Sequence, residues 1–199
     1  MHAIVLKSTP YEDDGKILKI FTKDLGVISV IVKNLIKKGS YLQTLTSPLA
    51  LGEFHLIKRQ SDLYVLKEAT LIDGYFEIRQ DLKKLEAACI ILKSLLKSQF
   101  LEKSSDALFQ LTTSYLRKMK TLKNPTTLAL SFQLKLLNFE GLYPEKKEDL
   151  SSPFSEIEWL TAECLCHAKK FETLENLEID AELEIKICSL FEERILDYN

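Results

Sequence analysis

Apolar positions follow two different rhythms along the chain, and the change comes near residue 78. Before it they form short runs rich in Val, Ile, Leu and aromatic residues, at 3–6, 17–21, 27–32, 49–57 and 63–66. Runs of that length and composition predict five strands. Turn chemistry separates them: Pro10 to Gly15, Asp24-Leu25-Gly26, Gly39-Ser40, Ser47-Pro48 and Gln60-Ser61-Asp62. Val27 to Val32 is nearly unbroken, as expected of a central strand covered on both faces. Five short strands in so few residues predict a small closed barrel, of either the oligonucleotide-binding (OB) or the SH3-like type.

Beyond residue 78 the period becomes helical. Leu82, Leu85, Ala88, Cys89, Leu92, Leu95 and Leu96 share one helical face, with Asp81 placed as N-cap. A second helix is expected over 104–119, capped by Ser104 or Ser105, with Leu108, Leu111, Tyr115 and Leu116 inward. The third opens at Asn124-Pro125 and ends at Gly141, with Leu128, Phe132, Leu136 and Phe139 inward. Two more amphipathic helices are expected over about 155–171 and 179–198. The expected architecture is α+β with two domains: a five-stranded OB-type β-barrel over 1–78, then an α-helical bundle over 79–199.

Composition supports a folded core, with 46% apolar and 28% charged residues. The longest apolar run, Ala87 to Leu92, is far short of the roughly 20 residues that span a bilayer. The N-terminus shows no leader pattern, so a cytoplasmic location and no membrane partner are expected. The net charge of −2 hides segregation: +2 over 1–80, +5 over 81–140 and −9 over 141–199. Glu172, Glu175, Glu178, Asp180, Glu182 and Glu184 should repel a nucleic acid, leaving a basic face and a separate acidic end.

Catalytic signatures are sparse. There is no Gly-rich phosphate loop and no nucleophile elbow, and the imidazoles are His2, His55 and His167. His55 shares a strand face with Glu53, and a hydrolase built on Asp13, Asp14 and His55 is the weakest reading; a solvated turn explains Glu12-Asp13-Asp14 better. Cys164, Cys166, His167 and Cys188 could be imagined around zinc, but on a helix Cys164 and Cys166 diverge by about 200°. Reduced thiols in helix cores, and no metal or other cofactor, are expected instead. No small-molecule substrate is indicated. The basic residues are the better lead. Lys33, Lys37 and Lys38 flank the end of the third strand, and Lys58 and Arg59 end the fourth, with Tyr11, Tyr41 and Tyr64 nearby. Cations tracking phosphates and rings stacking on bases are how OB barrels hold single strands. Arg117, Lys118 and Lys120 end the second helix, where DNA contact and a favourable helix dipole are equally good explanations.

These residues assemble into a resemblance. Ala3 to Ser8 followed by Pro10-Tyr11-Glu12, Ile17 to Gly26, Asp62 to Ala69, and Phe132 to Leu137 with Gly141-Leu142-Tyr143-Pro144 resemble, in order and spacing, the RecO family of recombination mediators. The resemblance implies an N-terminal OB-fold and a C-terminal helical domain that bind single- and double-stranded DNA and anneal complementary strands. It implies RecR and single-stranded-DNA-binding protein as partners, RecA loading as the outcome, and no enzyme activity. Many members carry a four-cysteine zinc motif after the Gly-x-x-Pro step; here Tyr143 to Asp149 contains no cysteine, and Cys164-x-Cys166 does not reproduce the spacing. An alternative of a different class is a protein-only adaptor of a repair complex that binds no DNA itself.

Overall fold

The computed structural model describes residues 1–33, 39–59, 63–101, 103–147 and 154–198. Strands β1 (His2–Tyr11), β2 (Gly15–Thr22), β3 (Gly26–Lys33), β4 (Leu51–Lys58) and β5 (Leu63–Asp73) close into a barrel in the order β1-β2-β3-β5-β4. β4 returns to β1 through His2–Glu53, Ala3–Gly52 and Ile4–Leu51, and β3 runs parallel to β5 from Ser29–Leu63 to Ile31–Val65. The crossover that makes β3 and β5 parallel decides between the two barrel types: this is an OB-fold. Helix α1 (Gly39–Leu45) precedes β4, where the sequence suggested only a turn at Gly39-Ser40. Its Leu42 and Leu45 join the interior residues Val5, Leu18, Val30 and Phe54. A helix of seven residues is too short to declare a period, and its two inward leucines acquire meaning only against the barrel.

The β2–β3 turn is built by local hydrogen bonds. Thr22 Oγ1 accepts from the Leu25 N–H at 2.9 Å and donates to the Gly26 carbonyl at 3.0 Å. Gly26 has φ +69°, and a Cβ there would lie 2.3 Å from the Phe100 carbonyl oxygen. Only glycine permits that approach.

The chain forms two compact units: residues 1–77 with 92–111, and residues 78–91 with 112–199. They differ from the contiguous segments 1–78 and 79–199 in that 92–111 groups with the barrel. In the first unit the Val27 N–H donates to the Phe100 carbonyl at 3.2 Å, Phe21 and Phe109 rings lie 5.7 Å apart, and Lys23 pairs with Asp106 at 3.1 Å.

Helices α2 (Phe76–Arg79), α3 (Leu82–Ser98), α4 (Asp106–Met119), α5 (Pro125–Phe139), α6 (Glu156–His167), α7 (Phe171–Glu175) and α8 (Ala181–Tyr198) complete the described chain. The N-caps expected at Asp81 and Ser105 receive the Lys84 and Leu108 N–H groups at 3.2 and 3.1 Å. α5 is buried on nearly every side from Pro125 to Leu137, rather than along one stripe, and its C-terminal Phe139 is exposed instead of inward. Leu82 likewise projects into solvent from the first turn of α3. Within the second unit the Tyr115 hydroxyl meets Ser131 Oγ at 2.9 Å, and Ser131 Oγ donates to the Leu165 carbonyl at 2.7 Å. Lys135 Nζ donates to the Cys166 and Ala168 carbonyls at 2.7 and 2.8 Å, satisfying the last turn of α6. That helix ends at His167 rather than running to Phe171, and α7 is separate.

Candidate nucleic-acid interface

Strand register arranges the outer barrel surface in rows. One row runs Thr9, Ile17, Ile31, Val65 and Ile57 across β1, β2, β3, β5 and β4. Ile17, Ile31 and Val65 are partly accessible and Ile57 is half exposed. The row beside it is Lys7, Lys19, Ser29 and Leu63, and the Arg59 N–H donates to the Leu63 carbonyl at 3.3 Å. On the other side lie Tyr11, Gly15 and Lys33. An aliphatic strip is thus bordered on both sides by cations.

Lys7 and Lys19 are register partners on adjacent strands, both exposed. Like charges directly opposite each other destabilise a sheet, and an anion bridging them removes that cost. Neither residue stood out in the sequence. A bulge between Val5 and Lys7 shifts the alternation in β1, burying Leu6 and turning Lys7 outward; pairing register, which a single sequence does not display, then sets it against Lys19.

The expected site residues separate. Lys33 is exposed and pairs with Glu12 at 3.4 Å, and Glu12, hydrogen-bonded to the Tyr11 phenol, raises the Tyr11 pKa above its ordinary value. Lys58 and Arg59 are exposed, but Lys58 pairs with Tyr64, which is level with Val30. Lys33 lies three residues, about 10 Å, further along β3. These cations border different sides of the strip and do not form one rim. Lys37 and Lys38 lie outside the described residues. Tyr41, on α1, is half exposed, and its hydroxyl accepts the Leu71 N–H. Tyr64 is a correction: it belongs to the inner row with Ser8, Leu18 and Val30, is 7% exposed and packs in the barrel core, so its ring is not available to bases. In the helical unit Arg117 is exposed, Lys118 is ion-paired with Glu175 at 3.1 Å, and the Lys120 carbonyl accepts from Lys84 Nζ at 2.7 Å.

The other candidate chemistries do not assemble. Asp13 and Asp14 lie in the β1–β2 turn, whereas β4 meets β1 at its opposite end through His2–Glu53, about 30 Å of strand away, so His55 is not brought to them. Among the described residues no three His, Cys, Asp or Glu side chains converge as a metal site. Cys166 donates to the Leu134 carbonyl, burial pushes its thiol pKa up to about 11, and Cys188 turns to Gln133 Oε1. Glu163 and His167 do share a face of α6, 3.7 Å apart. No described helix is long and apolar enough to cross a membrane.

Comparison with known proteins places the chain in a family. Residues 1–75 match the family model described as recombination protein O N terminal, and residues 79–183 match recombination protein O C terminal. The chain is 28% identical over 191 residues to a protein of Caldicellulosiruptor saccharolyticus, 29% over 140 residues to one of Caldicellulosiruptor bescii and 31% over 140 residues to one of Chlamydia pneumoniae, each named DNA repair protein RecO. Those stretches cover 92%, 70% and 70% of this chain, but 76%, 57% and 55% of the relatives' own lengths. With a barrel matching the N-terminal model and helices matching the C-terminal one, the chain belongs to the recombination protein O (RecO) family.

Proposed function

We propose that this protein acts in DNA repair and recombination by holding single-stranded DNA on the outer face of its barrel, annealing complementary strands without covalent chemistry. The observation that carries this reading is the aliphatic strip Ile17, Ile31, Val65 and Ile57 bordered by Lys7 and Lys19 on one side and Lys33 on the other. Bases lie against the strip and phosphates against the cations. Annealing follows from the same electrostatics, because neutralising phosphates on two strands removes the repulsion between them. The family supplies the rest of the reading: association with RecR and single-stranded-DNA-binding protein, binding of duplex DNA, and loading of RecA.

A salt titration of a fluorescent single strand tests it. Three phosphate contacts, at Lys7, Lys19 and Lys33, give a slope of log affinity against log salt of about −2.1, at roughly −0.7 per contact. Lys19→Glu should weaken binding and make the slope shallower by about 0.7 or more. Salt-insensitive binding, or none at low salt, overturns the proposal. The double variant Lys7→Glu with Lys19→Glu separates it from a protein-only adaptor: it should abolish DNA binding and leave RecR binding intact, whereas for an adaptor the wild-type chain binds RecR and no DNA.

A further inference from the structure

Gly26 does more than complete a turn. Its missing side chain lets Phe100, Leu101 and Lys103 approach the start of β3, where the Val27 N–H bonds to the Phe100 carbonyl and Gly26 bridges to Leu101. The same turn is drawn closed by Lys103, whose Nζ donates to the Ser98 carbonyl at 3.1 Å and lies 5.0 Å from the Phe100 ring centroid. Phe100 is 51% exposed. Between this turn and the outer surface of β2 and β3 lies an open cleft of about 260 Å³, lined by Lys19, Val27, Ile28, Ser29, Leu96 and Phe100 among others.

A single exposed phenylalanine needs no explanation. Three features together do. The cleft is continuous with the Lys7–Lys19–Ser29 row, since Lys19 and Ser29 belong to both. Its lining carries the Lys19 cation and no carboxylate, whereas the hollow beside Tyr41 includes Glu68 and the hollow at the start of α5 includes Glu178 and Glu184. Its volume is below the roughly 300–1,000 Å³ of ordinary small-molecule sites, which suits one planar group.

We propose that this cleft takes one unpaired nucleobase of the bound single strand, stacked on Phe100 with its flanking phosphate on Lys19. The inference rests on the DNA-binding reading and adds to it a contact that only an unpaired base makes. Base–aromatic stacking is tolerant of sequence, and the cation above Phe100 strengthens the arrangement. A duplex, whose bases are already stacked, gains nothing from it.

The test compares an oligothymidine strand with the same backbone bearing abasic sites, by fluorescence anisotropy at low salt. The wild-type chain should prefer the strand with bases, and Phe100→Ala should shrink that preference roughly 5- to 150-fold, the range for one stacked base. Affinity for the abasic strand and for a duplex should stay within about twofold, and Phe100→Trp should restore the preference. Phe100→Ala weakening both strands alike, or neither, overturns the proposal while leaving barrel binding in place. Failure of the wild-type chain to bind either strand overturns the DNA-binding reading itself, and this inference with it.

Discussion

Tyr64 fills the barrel interior while Tyr41 stands half exposed on α1, its hydroxyl accepting the Leu71 N–H of β5. Tyr64→Ala therefore opens a cavity and should cost about 3–5 kcal/mol in urea unfolding, as large aromatic truncations do. Tyr41→Phe removes one hydrogen bond and should cost about 1 kcal/mol. Equal, small losses would mean that Tyr64 is not a core residue. Both tyrosines follow basic or polar turns in the sequence, and both looked like stacking surfaces. In β5 the flanking Leu63, Val65 and Leu66 are apolar on both phases of the alternation, so nothing in the sequence says which phase points inward. Lys7 and Lys19 were hidden for a related reason: a single lysine within a strand reads as an ordinary solvated position until its neighbour across the sheet is known.

Element ends were legible wherever a side chain closes them locally. Ser155 is the clearest case: its Oγ accepts the Glu158 N–H at 3.2 Å while Glu158 Oε2 accepts the Ser155 N–H at 2.6 Å, a capping box that starts α6 where the sequence suggested. Lys186 of α8 donates to the other Glu158 oxygen at 2.7 Å. Lys186 first, and the Ser155 N–H second, hold the Glu158 carboxyl down to about 2, from an ordinary 4.5. A depressed carboxyl pKa contributes stability that is fully present above 4.5 and is lost as pH falls toward 2. Acid unfolding should show it: the wild-type chain loses stability relative to Glu158→Gln across that window, and parallel curves would mean the pair contributes nothing. Where a helix ends through a distant residue the sequence was silent. The carbonyls at the end of α6 are taken by Lys135 of α5. α5 itself carries apolar residues around most of its circumference, so a single inward stripe understates how much of it is buried.

Charge is the property that changes most at the scale of the whole chain. The run of +5 followed by −9 suggests a basic face and a distant acidic end. In the helical unit the two signs interleave instead: Lys118 pairs with Glu175, and Lys83 and Lys123 share a hollow with Glu178 and Glu184. Folding brings opposite charges of the two segments together, so charge summed along the sequence overstates the field that remains. Of the cations at the end of α4, Lys118 is thereby already neutralised by an acidic partner. Lys118→Glu should leave single-strand affinity within about twofold in the titration that registers Lys19→Glu, with a stability cost of at most about 1 kcal/mol, as for a partly exposed pair. An equal loss of affinity from the two reversals would place the strand across the helical unit as well.

The sequence by itself determined the two classes of structure and their order, the five strands, the main helices, their caps and the family, because each is written in short-range periodicity, turn chemistry or motif spacing. Only the tertiary structure decided which residues meet. The parallel β3–β5 crossover, the bulge that turns Lys7 toward Lys19, the burial of Tyr64 and the Gly26 approach that sets Phe100 beside β3 all depend on register and packing between segments far apart in the chain. Those long-range choices build the barrel surface proposed to take DNA, and no local pattern encodes them.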